Sequence, residues 1–120
     1  MTLLLADDNY AVRKMIKDVL ASPNNNFIEC SNGEEAVKTY AKYLPDWVLM
    51  DIEMDVMDGI TASKKIIEKY PRAKIVMLTQ YNDKHLVRAA LNAGAKDFIL
   101  KENIIQLIDF LKTKTEMTTN

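Results

Sequence analysis

Trp47-Val48-Leu49-Met50-Asp51-Ile52-Glu53-Met54-Asp55-Val56-Met57-Asp58-Gly59 decides the fold. Four apolar residues run without alternation into a carboxylate, and polar turn chemistry follows. A short continuous apolar run bounded by polar residues predicts a strand buried on both faces, as in a parallel sheet. A carboxylate at the end of such a strand is costly to desolvate. Leu3-Leu4-Leu5-Ala6 ends in the same way, on Asp7 and Asp8. Two such endings in one small chain predict a built acidic site.

Three further runs complete the pattern: Phe27–Cys30, Ile75–Leu78 and Phe98–Leu100. An amphipathic stretch follows each strand. Val12, Met15, Ile16, Val19 and Leu20 form a helical stripe. Ser31-Asn32-Gly33-Glu34 is a candidate capping box for a helix carrying Ala36, Val37, Tyr40, Ala41 and Leu44. Asp58 is placed to cap a helix with Ile60, Ile67 and Tyr70, which stops before Pro71. Asn82 or Asp83 caps the fourth helix, with Leu86, Ala89, Ala90 and Ala93, and Gly94 suits its C′ position. Ile104, Ile105, Ile108 and Leu111 mark the fifth. The tail Thr113–Asn120 reads as polar and frayed, or as the start of a linker.

Strict alternation of strand and helix predicts an α/β fold: a doubly wound parallel sheet with right-handed crossovers and helices on both faces. All strand C-termini then lie on one edge, where such sheets place their sites. Asp7, Asp8, Asp51, Thr79 and Lys101 collect there, with Asp8 facing Asp51 if the first and third strands are neighbours.

Composition narrows the function. A chain of 120 residues is one domain. A net charge of -1 with 28% charged residues gives no global field for nucleic acid or an anionic membrane. Cys30 is the only cysteine, so no internal disulfide or metal finger is expected, and a cytoplasmic setting is the simplest expectation. No apolar run approaches bilayer length, and the N-terminus lacks the basic region of a signal peptide.

Carboxylates crowded in one cleft repel one another, and either protonation of one or a cation relieves them. Oxygen-only, water-open coordination suits Mg²⁺, with Mn²⁺ as a substitute. Such an ion serves phosphoryl transfer well. Lys101 adds positive charge, Thr79 adds a hydroxyl donor, and a carboxylate so held is a plausible nucleophile.

Four segments carry a resemblance: Leu-Leu-Ala-Asp-Asp (4–8), Leu-Met-Asp-Ile-Glu-Met-Asp-Val-Met-Asp-Gly (49–59), Leu-Thr (78–79) and Gly-Ala-Lys-Asp-Phe-Ile-Leu-Lys (94–101). In this order and spacing the chain resembles a CheY-like receiver domain of a two-component response regulator, over residues 2 to about 114. The resemblance implies a five-stranded flavodoxin-like (βα)5 fold of strand order 2-1-3-4-5, a receiver domain at 1–114 and a tail or linker at 115–120. It implies that Asp51 accepts a phosphoryl group from a sensor histidine kinase or phosphotransfer protein. Asp8, Asp51 and the Glu53 carbonyl would hold Mg²⁺, with Asp7 acting through water. Thr79 and Phe98 resemble the switch pair, and Lys101 the lysine that contacts the phosphoryl group. Activation would change the face formed by the fourth helix, fifth strand and fifth helix, the family's docking or homodimerisation face. Residues 78–83 and the Lys101-Glu102 pair are similar to receivers joined to helix-turn-helix output domains, which implies transcription regulation without direct DNA contact by this domain.

Three positions depart from the family pattern. Asp55 stands where proline is usual, losing a rigid turn and adding an acid. Gln80 stands where a small residue is usual and, with Tyr81, is placed to control access. Glu102 replaces a proline that is often cis; before a non-proline residue cis costs roughly 2.5–4 kcal/mol, so a trans bond is expected. Asp58 reads as a helix cap rather than a ligand, His85 as an exposed helix residue, Cys30 as a small core residue, and Met15, Met50 and Met77 as core fillers. Trp47, on the same strand as Asp51, is expected to report changes at the site.

Other functions fit less well. A Mg²⁺-dependent phosphohydrolase with an aspartyl nucleophile would need a threonine after Glu53 and a cap domain. A flavin phosphate would be repelled by Asp7-Asp8-Asn9. A receiver-like interaction module without phosphorylation would not need these acids together with Thr79 and Lys101.

Overall fold

The computed structural model describes residues 1–119, and side chains as far as Thr113. Its elements alternate along the chain: β1 (Thr2–Ala6), α1 (Tyr10–Val19), β2 (Asn26–Cys30), α2 (Gly33–Tyr43), β3 (Trp47–Asp51), α3 (Gly59–Lys69), β4 (Ile75–Thr79), α4 (Lys84–Asn92) and β5 (Asp97–Leu100). A 3-10 turn, Lys101–Asn103, leads into α5 (Ile104–Thr119), which crosses the boundary expected at residue 114; Asn120 lies outside the described residues. The strands form one parallel sheet in the order β2-β1-β3-β4-β5. This is the predicted topology.

The continuous apolar runs serve two cores at once, because successive side chains on a strand point to opposite faces. Leu4, Ala6, Val48, Met50, Ile75 and Met77 face one layer with Ala36 and Tyr40 of α2 and Ala62 and Ile66 of α3. Leu3, Leu5, Trp47, Leu49, Val76 and Leu78 face the other, with Ile16 of α1 and Leu107 and Leu111 of α5. β1, β3 and β4 are buried almost throughout, whereas β2 and β5 are edge strands and only partly covered.

The helix ends follow local chemistry. Asn9 caps α1 and accepts from Ala11 and Val12 amides at 2.9 and 3.3 Å. At α2 the capping box sits one residue later than expected: Asn32 is the cap, accepting from the Glu35 amide at 2.9 Å, and Glu35 reaches back to the Ser31 amide at 3.1 Å. Asp58 caps α3 as predicted, with both carboxylate oxygens 2.8 Å from donors of Thr61. Asp83, not Asn82, caps α4. Gly94, at φ 103°, ends α4 in a Schellman motif closed by the Gly94 amide to Leu91 and the Ala95 amide to Ala90.

Three large apolar residues expected on the inward helix stripes are exposed instead: Met15, Leu44 and Ile105. Met15 is 39% exposed, because Ile16 and Leu20 set the inward face of α1 and Met15 is turned away from it. Ile105 is 70% exposed for the same reason: neighbours on a helix diverge by roughly a quarter turn, so Ile104 and Ile105 cannot both face inward. Leu107 takes the core place instead. Leu44 lies past the last turn of α2, in a left-handed conformation at φ 46°.

Two glycines let the loop after β3 close. A Cβ at Gly59 would stand 2.0 Å from the Asp51 carbonyl oxygen, and one at Gly33 would stand 2.3 Å from that of Met57. The Gly59 amide donates to Ile52 at 2.8 Å and the Gly33 amide to Met57 at 2.9 Å. Gly59→Ala should therefore push α3 off the end of β3 and destabilise the fold by about 1–3 kcal/mol, measured by urea denaturation.

Candidate functional site

The register carries β3 one residue beyond β1: Ala6 pairs with Met50, and Asp51 pairs with Leu78 of β4. Asp7 and Asp8 follow β1 directly, and Lys101 follows β5. All four side chains thus meet at the C-terminal edge of the sheet. Asp7 and Asp51 are buried, at 1% and 4% exposure, while Asp8 is exposed. Oxygens of the three carboxylates lie within 4.8 Å of one another. Lys101 Nζ stands 2.8 Å from Asp7 Oδ2 and 3.3 Å from Asp51 Oδ1. The Glu53 amide approaches Asp51 Oδ1 at 3.4 Å.

The acids border an open cavity of about 810 Å³. Asp8, Asp51, Glu53, Gln80 and Lys101 line it, with Ile60 and Leu86 as an apolar wall. Thr79 is buried at the end of β4, and its hydroxyl accepts from the Tyr81 amide at 3.1 Å. Tyr81 is 50% exposed and stands outside the cavity lining. Phe98 is partly buried against the α2–α3 core. Among the predicted site residues, Asp7, Asp8, Asp51 and Lys101 are in one cluster, Glu53 and Gln80 border it, and Thr79, Tyr81 and Phe98 are set back.

The peripheral expectations divide. His85 is exposed, and Asp55 is exposed on the cavity rim. Cys30 is buried, which pushes its thiol up to about 12. No cis peptide occurs among the described residues, so the Lys101–Glu102 bond is trans. Trp47 starts β3, at the opposite end of the strand from Asp51, and packs edge-on against Phe110 at 5.3 Å. Sequence reasoning missed Arg13, which holds the carbonyl of Asp7. Its signal was a charged residue beside the apolar stripe of α1, paired with Glu29 inside an apolar strand run.

Receiver domains bind Mg²⁺ at a cluster of aspartates, and the donor set here fits that ion. Its oxygens are hard carboxylate donors, Asp8 faces solvent, and Asp7 Oδ2 is buried with no aligned hydrogen bond, its charge met by the Lys101 ion pair. Burial raises the Asp51 pKa to about 6; the neighbouring Asp7 charge adds to the rise, and Lys101 opposes it. Burial pulls Lys101 down, but bonding to Asp7 and the charges of Asp51 and Asp7 outweigh this, and its net shift is upward.

A raised carboxylate pKa gives a definite sign. Between 3.8 and about 6 the folded chain keeps a proton on Asp51 that the unfolded chain releases. The stability Asp51 contributes is full below pH 3.8 and is lost as pH rises through 6. In metal-free buffer, urea denaturation across this window should show Asp51→Asn gaining on the parent protein by up to ~3 kcal/mol.

The chain matches the family model of the response regulator receiver domain over residues 3–112. It is 43% identical over 100 residues to the chemotaxis protein CheY of Bacillus subtilis, covering 82% of this chain and 83% of that protein. It is 40% identical over 104 residues to the uncharacterized transcriptional regulatory protein YhcZ of the same organism, covering 85% of this chain but only 49%, about half, of that relative. The response regulator domain of Thermotoga maritima CheB superposes with a TM-score of 0.84 at 27% identity, over 94% of each chain. A chain of the CheX–CheY–BeF3–Mg²⁺ complex from Borrelia burgdorferi gives 0.82 at 30% identity, over 92% of this chain and 88% of that one. With the acid cluster at the C-terminal edge of a 2-1-3-4-5 sheet, these matches place the chain in the response regulator receiver domain family of two-component signalling.

Proposed function

We propose that Asp51 is the phosphoacceptor of a signalling switch. The observation that carries this is the buried Asp51 carboxylate held against Lys101 at the floor of an open acidic cavity. An Asp51 oxygen attacks the phosphorus of a kinase or phosphotransfer protein's phosphohistidine. A P–O bond forms, the P–N bond breaks, and its electron pair returns to the imidazole nitrogen. The ammonium of Lys101, already beside Asp51, offsets charge on the transferred group. Asp8, Asp51 and the Glu53 carbonyl would hold Mg²⁺, with Asp7 acting through water, and the ion supplies neutralisation of the phosphoryl oxygens.

Thr79 is the switch hydroxyl of this reading. Its Oγ1, which accepts from Tyr81 in this structure, rotates to donate to the phosphoryl group. Phe98 on β5 then moves inward, and the face of α4, β5 and α5 changes for a partner, an output domain or a second copy of the chain. Gln80, on the cavity wall, limits the approach of donor and of water. Tyr81 flanks that approach from the adjoining loop. Transcription regulation is the favoured output, in keeping with the name of the YhcZ relative. A cytoplasmic location is in keeping with the absence, among the described residues, of a helix long and apolar enough to cross a membrane.

Incubation with acetyl phosphate and Mg²⁺ should add the mass of one phosphoryl group, and Asp51→Asn or chelation should abolish the gain. Lys101→Ala should slow the gain by roughly 10²-fold. Absence of any Asp51-dependent gain would leave a receiver-like interaction module, and steady turnover of phosphate esters would point to a phosphohydrolase.

A further inference from the structure

We infer that Arg13 is a positioning residue for the divalent-cation site, acting through the backbone of Asp7. The inference rests on the proposed role of Asp8 and Asp7 in holding that ion.

Asp7 and Asp8 sit in the connection between β1 and α1, where a chain is free to shift unless its peptides are tied. The Asp7 amide donates to the Cys30 carbonyl of β2 at 3.1 Å. Arg13 Nη1, from the first turn and a half of α1, donates to the Asp7 carbonyl at 2.5 Å. Both hydrogen-bonding groups of Asp7's backbone are therefore held, one by the edge strand and one by the guanidinium. On the other side of Asp8, the Asn9 amide donates to Asp7 Oδ1 at 2.9 Å, and Asn9 caps α1. Asp8 is left as the one exposed carboxylate of the cluster, on a backbone fixed before and after it.

The guanidinium is itself fixed. Its Nε lies 3.0 Å from Glu29 Oε1, and the second Glu29 oxygen is 2.9 Å from Lys17 Nζ, one turn further along α1. The Arg13 side chain is only 16% exposed. Bonding to Lys17, with a smaller share from Arg13, holds the Glu29 carboxyl below its usual range against the opposing effect of burial. A planar fork can serve a carboxylate and a carbonyl at once; a lysine, as a point charge on a flexible stem, cannot hold both in one geometry. Partners behind metal-ligating groups typically govern affinity by 10–100-fold through such orientation.

Charge and geometry act in opposite directions here, which makes the inference testable. Loss of a cation beside an acidic site should by itself tighten cation binding; loss of the tie to Asp7 should weaken it. Mn²⁺ titration of the full chain, followed by the electron paramagnetic resonance of the free ion, separates them. Arg13→Gln should weaken Mn²⁺ binding roughly tenfold. Arg13→Lys, which keeps the charge, should weaken it too, and Glu29→Gln should weaken it less. Urea denaturation of each variant shows that the folded state is being titrated. Unchanged or tighter binding by folded Arg13→Gln and Arg13→Lys would overturn the inference. Asp8→Asn is the separate control: if it leaves Mn²⁺ affinity intact, the proposed ion site fails, whatever Arg13 does.

Discussion

A single ammonium between two buried carboxylates is the interaction that the rest of the molecule accommodates. Asp7 and Asp51 are both withdrawn from water, and Lys101 reaches both. Removing the ammonium would be expensive, because two buried carboxylates would be left without their shared partner. The sheet order follows from the same need. β1 and β3 must be neighbours for Asp7 and Asp51 to meet, and β5 must end on the same edge for Lys101 to arrive. A parallel sheet delivers all three ends together. The Asp51–Lys101 pairing alone does not satisfy Asp51, whose pKa stays raised by burial and by Asp7. A receiver site is thus held in a state that gains from the arrival of further positive charge.

The backbone around the acids is tied more heavily than the acids themselves. Asn9 and Arg13 fix the β1–α1 connection. Gly59 and Gly33 bring α3 and α2 against the loop after Asp51, at distances no side chain would permit. The carboxylates can then stay short of full satisfaction without the loops collapsing onto them.

Much of the architecture was legible because period and punctuation agreed. Every apolar run became a strand with ends within a residue of those expected, and Asp58 and Gly94 took their helix-end roles. The acid cluster was legible for the same reason: strand ends share an edge in a parallel sheet. Phase within a helix was harder. Ile104-Ile105 and Met15-Ile16 each offer two apolar neighbours, and only packing chooses between them. The capping box slipped by one because Glu34 and Glu35 are chemically alike and only backbone geometry selects Glu35. Arg13 left a trace, a charge beside the apolar stripe of α1, but not its role, because sequence carries no sign of which carbonyl a guanidinium will find.

The loop of residues 52–58 closes on itself. The Gly59 amide meets the Ile52 carbonyl at its neck, and Met57 is anchored to Gly33 of α2. The tip is a tight turn of its own: the Met57 amide donates to the Asp55 carbonyl at 2.7 Å across Val56, which is 76% exposed at a φ of 67°, and Asp55 is exposed. A rigid proline is not needed at position 55 to hold a loop already sealed at its base. The acid at position 55 is thus presented at the mouth of the cavity by a turn separate from the frame that aims Asp51.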